Sequence, residues 1–404
     1  MRKERPGHHG ALWTGAAGPL RGGAPDHAVG LCSPVPGQRR GALWAGEPRL
    51  AGLLPAAGSG NGLAGAVSQR GRRASGGGGP DGSALGTAGG PGGYTLADPA
   101  PNFTITPPPG GYIWWYIDAL SADGSHGLTI IAFIGSVFSP YYAAAGRRDP
   151  REHVALNVAL YQPKSSRWAM TERSAAVLRQ TRDSLIIGPS RMLWGAEGLT
   201  LHVEETAAPI PYPVRGVIRL RPLCLNAQML HLDAAGKHRW RPIAPVAEID
   251  VEFTKPKLQW RGTAYFDTNE GEESLESGFR RWHWARAHVN GETLVLYDVT
   301  RRDRSSMAHA LRFGADGAMA SFAPPRAVKL PNTRWGLKRE TRAEEPQEVA
   351  VLRDWEDGPF YSRSLVRTRL LKEEVTAVHE SLDLNRFRAF WVHRLLPYRM
   401  PRRT

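Results

Sequence analysis

The chain has 404 residues, enough for two ordinary domains or for one with extensions. Its 52 Lys and Arg against 38 Asp and Glu give a net charge of +14, a balance that suits nucleic acid or an anionic membrane surface. No helix-turn-helix, finger or RNP-like motif is present and 13 Trp are unusual for a DNA reader, so no nucleic-acid partner is expected and peripheral membrane association is.

Residues 1–100 are dominated by Gly, Ala, Pro and Arg, with Gly76-Gly77-Gly78-Gly79-Pro80 as the extreme. Such a composition cannot bury a core, and the segment reads as disordered or as a non-native extension. Gly60-Asn61-Gly62-Leu63-Ala64-Gly65 fits a dinucleotide-loop spacing, but no strand precedes it and no acid follows at the required distance. Cys32 and Cys224 form neither a disulfide framework nor a metal pair, so a reducing compartment is the default. The N-terminus has charge but no apolar core, hence no signal peptide is expected.

From Tyr112 to about Leu371, short apolar-aromatic runs alternate with turn signals, the pattern of an all-β fold. Asp123-Gly124 separates Tyr112–Ala119 from Leu128–Phe138, and Asn290-Gly291 joins Trp282–Val289 to Leu294–Val299 as a hairpin. The uncharged stretch Gly127–Gly146 reads as a buried strand and loop rather than a membrane span. Val154–Tyr161, Ser184–Ile187, Leu199–Val203, Gly216–Leu220 and Glu248–Phe253 read as further strands, and Ala169–Arg179 as a short helix or ragged hairpin. So many antiparallel strands fit one large barrel or two consecutive ones. At the end, Asp383 is placed to cap a helix over Arg386–Leu396, in which Phe387, Phe390, Trp391 and Leu395 recur at helical spacing among arginines. That segment suits either a bilayer interface or a terminal helix packed on the barrel.

The chemistry gathers around Gly262-Thr263-Ala264-Tyr265-Phe266-Asp267-Thr268-Asn269-Glu270-Gly271, read as a strand that breaks into a turn from Asp267. In extended chain Tyr265 and Asp267 share a face and Phe266 takes the other; His238 and Trp240 form a second same-face pair, Trp282 and Trp284 a third. Asp267 is the candidate acid, since burial among Trp260, Tyr265 and Phe266 would keep a carboxyl protonated. The competing reading is ordinary turn chemistry with Asp267 capping its own turn. Trp faces can hold a cation, but they are also ordinary core. His238 can orient water or simply hydrogen-bond at a surface. No His, Cys or acid pair has metal spacing and no nucleophile elbow or phosphate loop is visible. This favours cofactor-free acid–base chemistry or plain binding of an apolar ligand.

Together, Gly111–Leu120, His126–Tyr142, His153–Tyr161, Gly262–Gly271 and His379-Glu380-Ser381-Leu382 resemble the carotenoid 1,2-hydratases, or hydroxyneurosporene synthases, from about Pro107 to the C-terminus. The resemblance implies two consecutive lipocalin-like antiparallel β-barrel halves, divided here as 101–255 and 256–404, with a short C-terminal helix. It implies addition of water across the terminal C1=C2 bond of acyclic carotenoids such as neurosporene and lycopene, with no cofactor. Asp267 would be the acid and Tyr265 would hold its carboxyl. His238 would serve the water and Trp240 the cation, while Trp260, Trp282 and Trp284 would line the substrate site. A substrate held in lipid places the chain on the cytoplasmic face of the inner photosynthetic membrane, with the barrel mouth admitting one carotenoid end. The alternative is a lipocalin-like carrier that binds a carotenoid or terpenoid unchanged; a third possibility is a terpenoid or tocopherol-type cyclase.

Overall fold

Alternating side chains give each strand two faces, and in the centre of this protein both faces are buried. The computed structural model describes residues 93–403; the expectations for residues 1–92, including Gly60–Gly65, lie outside them. A fourteen-stranded sheet runs, in spatial order, Arg402–Arg403, Arg167–Arg173, Val154–Tyr161, Gly127–Ile134, Tyr112–Ser121, Lys257–Gly271, His238–Lys255, Pro213–Pro222, Gly198–Thr206, Ser190–Gly195, Ser184–Ile187 and Leu178–Gln180. Two short strands, Gly93–Thr95 and Gln228–His231, branch from His238–Lys255. A bridge between Ala169 and Ala207 brings the Arg167–Arg173 edge back to the end of Gly198–Thr206, curling the sheet around an aliphatic core. A seven-stranded antiparallel sheet follows, centred on Phe279–Val289 between Glu292–Arg301 and Glu373–Asp383. The fold is the expected all-β one, a curled first sheet and a second antiparallel sheet with a short C-terminal helix, Phe390–Arg399.

Tyr112–Ser121 connects the two layers. Its Ile113, Trp115, Ile117 and Ala119 enter the first core, whereas Tyr112, Trp114 and Tyr116 enter a second core shared with the seven-stranded sheet. The neighbouring strand behaves alike: Ala264 and Phe266 face the first core and Tyr265 the second. The expected division at residue 255 falls at the turn of the hairpin His238–Lys255/Lys257–Gly271, and both arms lie in the first sheet; the chain passes to the second sheet after Gly271.

Several local expectations change. The strand does not break at Asp267 but runs on to Gly271, because it is paired along both edges, with Trp240↔Asn269 on one side and Trp114↔Asn269 on the other. Asp267 therefore caps no turn. Ala169–Arg179 is mostly strand, paired in Arg167–Arg173, with one helical turn at Ala175–Val177. Gly127–Gly146 is a strand, a loop and the short helix Pro140–Ala144, and among the described residues no helix is long and apolar enough to cross a membrane. Asn290-Gly291 forms the expected turn, with both residues at positive φ, 52° and 80°. Asp383 caps the first terminal turn by accepting from the backbone of Asn385 and Arg386.

Phe266 is fully buried in the first core on the strand that carries Asp267. Phe266→Ala is expected to destabilise the fold by about 3–5 kcal/mol through the cavity it leaves, read as a lower midpoint in urea unfolding.

Candidate active site between the two sheets

Polar side chains on a face buried by a second sheet must find partners there, and those of Lys257–Gly271 do. The Asp267 carboxyl is 2 % exposed. Its Oδ2 accepts the indole N–H of Trp240 at 2.9 Å and the hydroxyl of Tyr265 at 2.9 Å, and the indole also lies 3.1 Å from the Tyr265 hydroxyl. The amide of Asn269 reaches Oδ1 at 3.4 Å, and Tyr297 donates to the other end of that amide at 2.7 Å. Two donors fix Oδ2 as an acceptor, so a proton on this carboxyl belongs on Oδ1.

Burial pushes the carboxyl pKa up to about 8; the Trp240 and Tyr265 hydrogen bonds oppose the rise, and the buried carboxylates of Glu380 and Asp118 add to it. The Tyr265 hydroxyl is raised well above its ordinary value by burial and then by the adjacent Asp267. At neutral pH the group is a carboxylic acid in a dry aromatic setting.

The rings enclosing it come from both sheets. Trp284 packs on Tyr265 with centroids 5.4 Å apart, and Tyr297 bridges Trp240 at 4.5 Å and Trp282 at 4.9 Å. Trp114 adds a contact to Trp282 at 6.2 Å, and Tyr116 one to Trp284 at 5.4 Å. Asp267, Tyr265, Trp240, Trp282 and Trp284 are thus gathered as the sequence implied, but between the sheets rather than inside a barrel.

Two residues fall elsewhere. Trp260 has the parity of Phe266 and packs against the first core, on the face opposite Asp267; spacing alone decides this. His238 lies on the flank, its Nδ1 2.9 Å from the Tyr112 hydroxyl and its ring against Phe279 at 4.7 Å. Burial lowers its pKa, with Asp233 and Glu273 opposing, so the ring is neutral. Its described contacts do not include Asp267. A Cβ on Gly271 or Gly278 would come within 2.8 Å and 2.4 Å of its two ring nitrogens, so both glycines keep space for the imidazole.

Sequence reasoning found Trp282 and Trp284 but missed the charged and phenolic partners that the second sheet supplies. Beside the rings, Asp118 is fully buried between Arg286, at 2.5 Å, and Arg363. Arg363 also pairs with Glu380, which accepts from Tyr116 at 2.9 Å and Tyr361 at 3.1 Å. Burial raises Glu380, with Arg363 opposing. The alternation in Tyr112–Ser121 placed Asp118 with Tyr116, but nothing in one sequence pairs them with residues about 245 positions later. Among the described residues no group of His, Cys, Asp or Glu could hold a metal ion. A polar cleft of 520 Å³ lined by Glu276, Ser277, Arg302, Arg388 and His393 shares no residue with the aromatic enclosure.

Fold and site together define an all-β protein that keeps a protonated carboxyl among aromatic rings. The family described as Carotenoid hydratase CrtC matches residues 130–404. The chain is 49 % identical over 399 residues to the acyclic carotenoid 1,2-hydratase of Thiocapsa roseopersicina, covering 97 % of each chain. That alignment therefore includes most of residues 1–100, which the sequence reading set outside the resemblance. It is 47 % identical to the enzyme of that name from Rubrivivax gelatinosus, over 76 % of this chain and 77 % of the relative, and 41 % identical to that of Cereibacter sphaeroides, over 68 % and 98 %. The chain belongs to the carotenoid hydratase family.

The Asp267 pKa predicts a linkage effect. The folded chain keeps this proton between 3.8 and about 8 while the unfolded chain has released it, so the group lowers stability increasingly as pH rises through that window. Asp267→Asn should therefore gain on the native chain by on the order of 1 kcal/mol per pH unit across it. Denaturant unfolding at several pH values tests this; a pH-independent difference would refute the raised pKa.

Proposed function

We propose that this protein is an acyclic carotenoid 1,2-hydratase in which Asp267 supplies the proton. The observation carrying the reading is the carboxyl itself, held neutral near pH 7 by burial and fixed through Oδ2 by Trp240 and Tyr265. An isolated trisubstituted double bond is a weak base, so its protonation needs an acid that is undissociated and desolvated at working pH. Oδ1–H delivers the proton to C2 of the terminal C1=C2 bond, and the electron pair of that bond forms the new C–H bond. The tertiary cation left at C1 sits against the faces of Trp240, Trp284 and Tyr297, which stabilise it electrostatically. Water adds to C1, and the proton it sheds returns to the Asp267 carboxylate, giving a tertiary alcohol and the starting acid. No redox step is involved. Neurosporene and lycopene are the substrates proposed.

Trp240 and Tyr265 act on the carboxylate left after proton transfer: two donors on one oxygen stabilise the anion just when it forms. Asn269, oriented by Tyr297, holds the other oxygen. His238 reaches this group through no described contact. Its neutral ring and its bond to Tyr112 fit a flanking role, holding the water at the Phe279 side of the enclosure.

In lycopene-producing cells the native chain should yield pigment heavier by one water, and Asp267→Asn should lose at least about a hundredfold of that product. Folded Asp267→Asn retaining full hydration would move the acid elsewhere; pigment bound but unaltered by the native chain would indicate a carrier. Trp240→Phe, which removes one donor from Oδ2, should lower kcat about tenfold or more with little change in KM. The rate should also fall as pH rises through about 8, where Asp267 loses its proton.

A further inference from the structure

A surface helix normally has one apolar stripe, turned inward. The helix Phe390–Arg399 has two. Val392 and Leu396, followed by Met400, are buried in the second core together with Phe387. On the outward side Phe390 is 72 %, Trp391 44 % and Tyr398 73 % exposed, with Leu395 between them at 40 %. Trp335, from the loop before the strand Arg339–Arg342, extends the patch: it is 45 % exposed and stacks on Trp391 with centroids 6.0 Å apart and planes 15° apart. Isolated exposed aromatics need no explanation, but a contiguous outward set does.

Arginines are interleaved with these rings. Arg394 lies over Phe390 at 4.7 Å, Arg386 over Trp391 at 6.0 Å, and Arg386 also donates to the Trp335 carbonyl at 2.8 Å. From Leu384 to Thr404 the sequence contains six arginines and no acid. We propose that this outward face of the C-terminal helix, with Trp335, docks the protein on an anionic lipid surface. The rings would enter the headgroup boundary and the guanidinium groups would meet lipid phosphates. Trp and Tyr are suited to such a boundary, apolar in the ring and polar at the tip. A second copy of the chain is the poorer occupant, because a two-fold contact would set the same arginines against each other.

The inference is independent of the hydration chemistry. Deleting the tail would not test it. Phe387, Val392, Leu396 and Met400 are core residues, and Arg402 pairs with Glu172, so removing Arg386–Thr404 would unsettle the fold itself.

The test uses the full chain with vesicles of phosphatidylglycerol and phosphatidylcholine in equal parts, and with phosphatidylcholine alone, read by sedimentation at low salt. The native chain should bind the anionic vesicles and release them as salt rises. The triple variant Phe390→Ser, Trp391→Ser, Tyr398→Ser and, separately, Arg394→Glu should each weaken binding about tenfold, with the thermal midpoint and turnover of detergent-dispersed substrate unchanged. Arg394→Glu leaves the apolar face intact, so it remains informative should the triple variant misfold. Equal binding of native chain and variants would overturn the proposal, as would no preference for anionic vesicles. A native dimer in sedimentation velocity that the variants dissolve would also overturn it, assigning the face to a second copy.

Discussion

An acid can be kept protonated at neutral pH only where water is excluded, and here exclusion requires two sheets. The first contributes Asp267 with its immediate donors Trp240 and Tyr265, all on one face of two adjacent strands. The second contributes Trp282, Trp284 and Tyr297, which close over that face. Removing either layer would hydrate the carboxyl and return it toward its ordinary value. The raised pKa therefore belongs to the interface between the halves more than to any residue within it.

That interface is also costly to build. It buries two arginines and two carboxylates, Arg286, Arg363, Asp118 and Glu380, beside the rings. The four formal charges cancel, and the tyrosine hydroxyls of Tyr116 and Tyr361 fill remaining acceptor sites on Glu380. Such a network is tolerable only when complete, since a single unpaired member would leave a bare charge in a dry setting. Its position fixes how the second sheet sits on the first, and so how closely Trp284 covers Tyr265.

Much of this was legible in the sequence because strand parity is a strong rule. Tyr265 with Asp267, His238 with Trp240 and Trp282 with Trp284 each share a face as spacing required. Parity also sets Trp260, five positions from Tyr265, against the other core despite its nearness to Asp267 in sequence. The strand through Gly271 has the sequence look of a turn because Asp267, Asn269 and Gly271 are turn residues in isolation. Pairing on both edges overrides that propensity, and the polar side chains become site groups instead. What no local pattern encodes is the partner across a sheet interface: Asn269 with Tyr297, or Asp118 with Arg363.

Tyr112–Ser121 carries apolar side chains on both faces and is paired with Gly127–Ile134 early but with Lys257–Gly271 late; Thr268 bonds the carbonyl of Trp114 across 154 residues of chain. During synthesis this aromatic strand therefore has one open edge and one uncovered face until most of the protein has left the ribosome. Contacts of such separation close slowly, and an apolar edge left waiting is an invitation to pair with another chain. The feature that lets one strand serve two cores in the finished molecule makes the nascent one a natural client for chaperones.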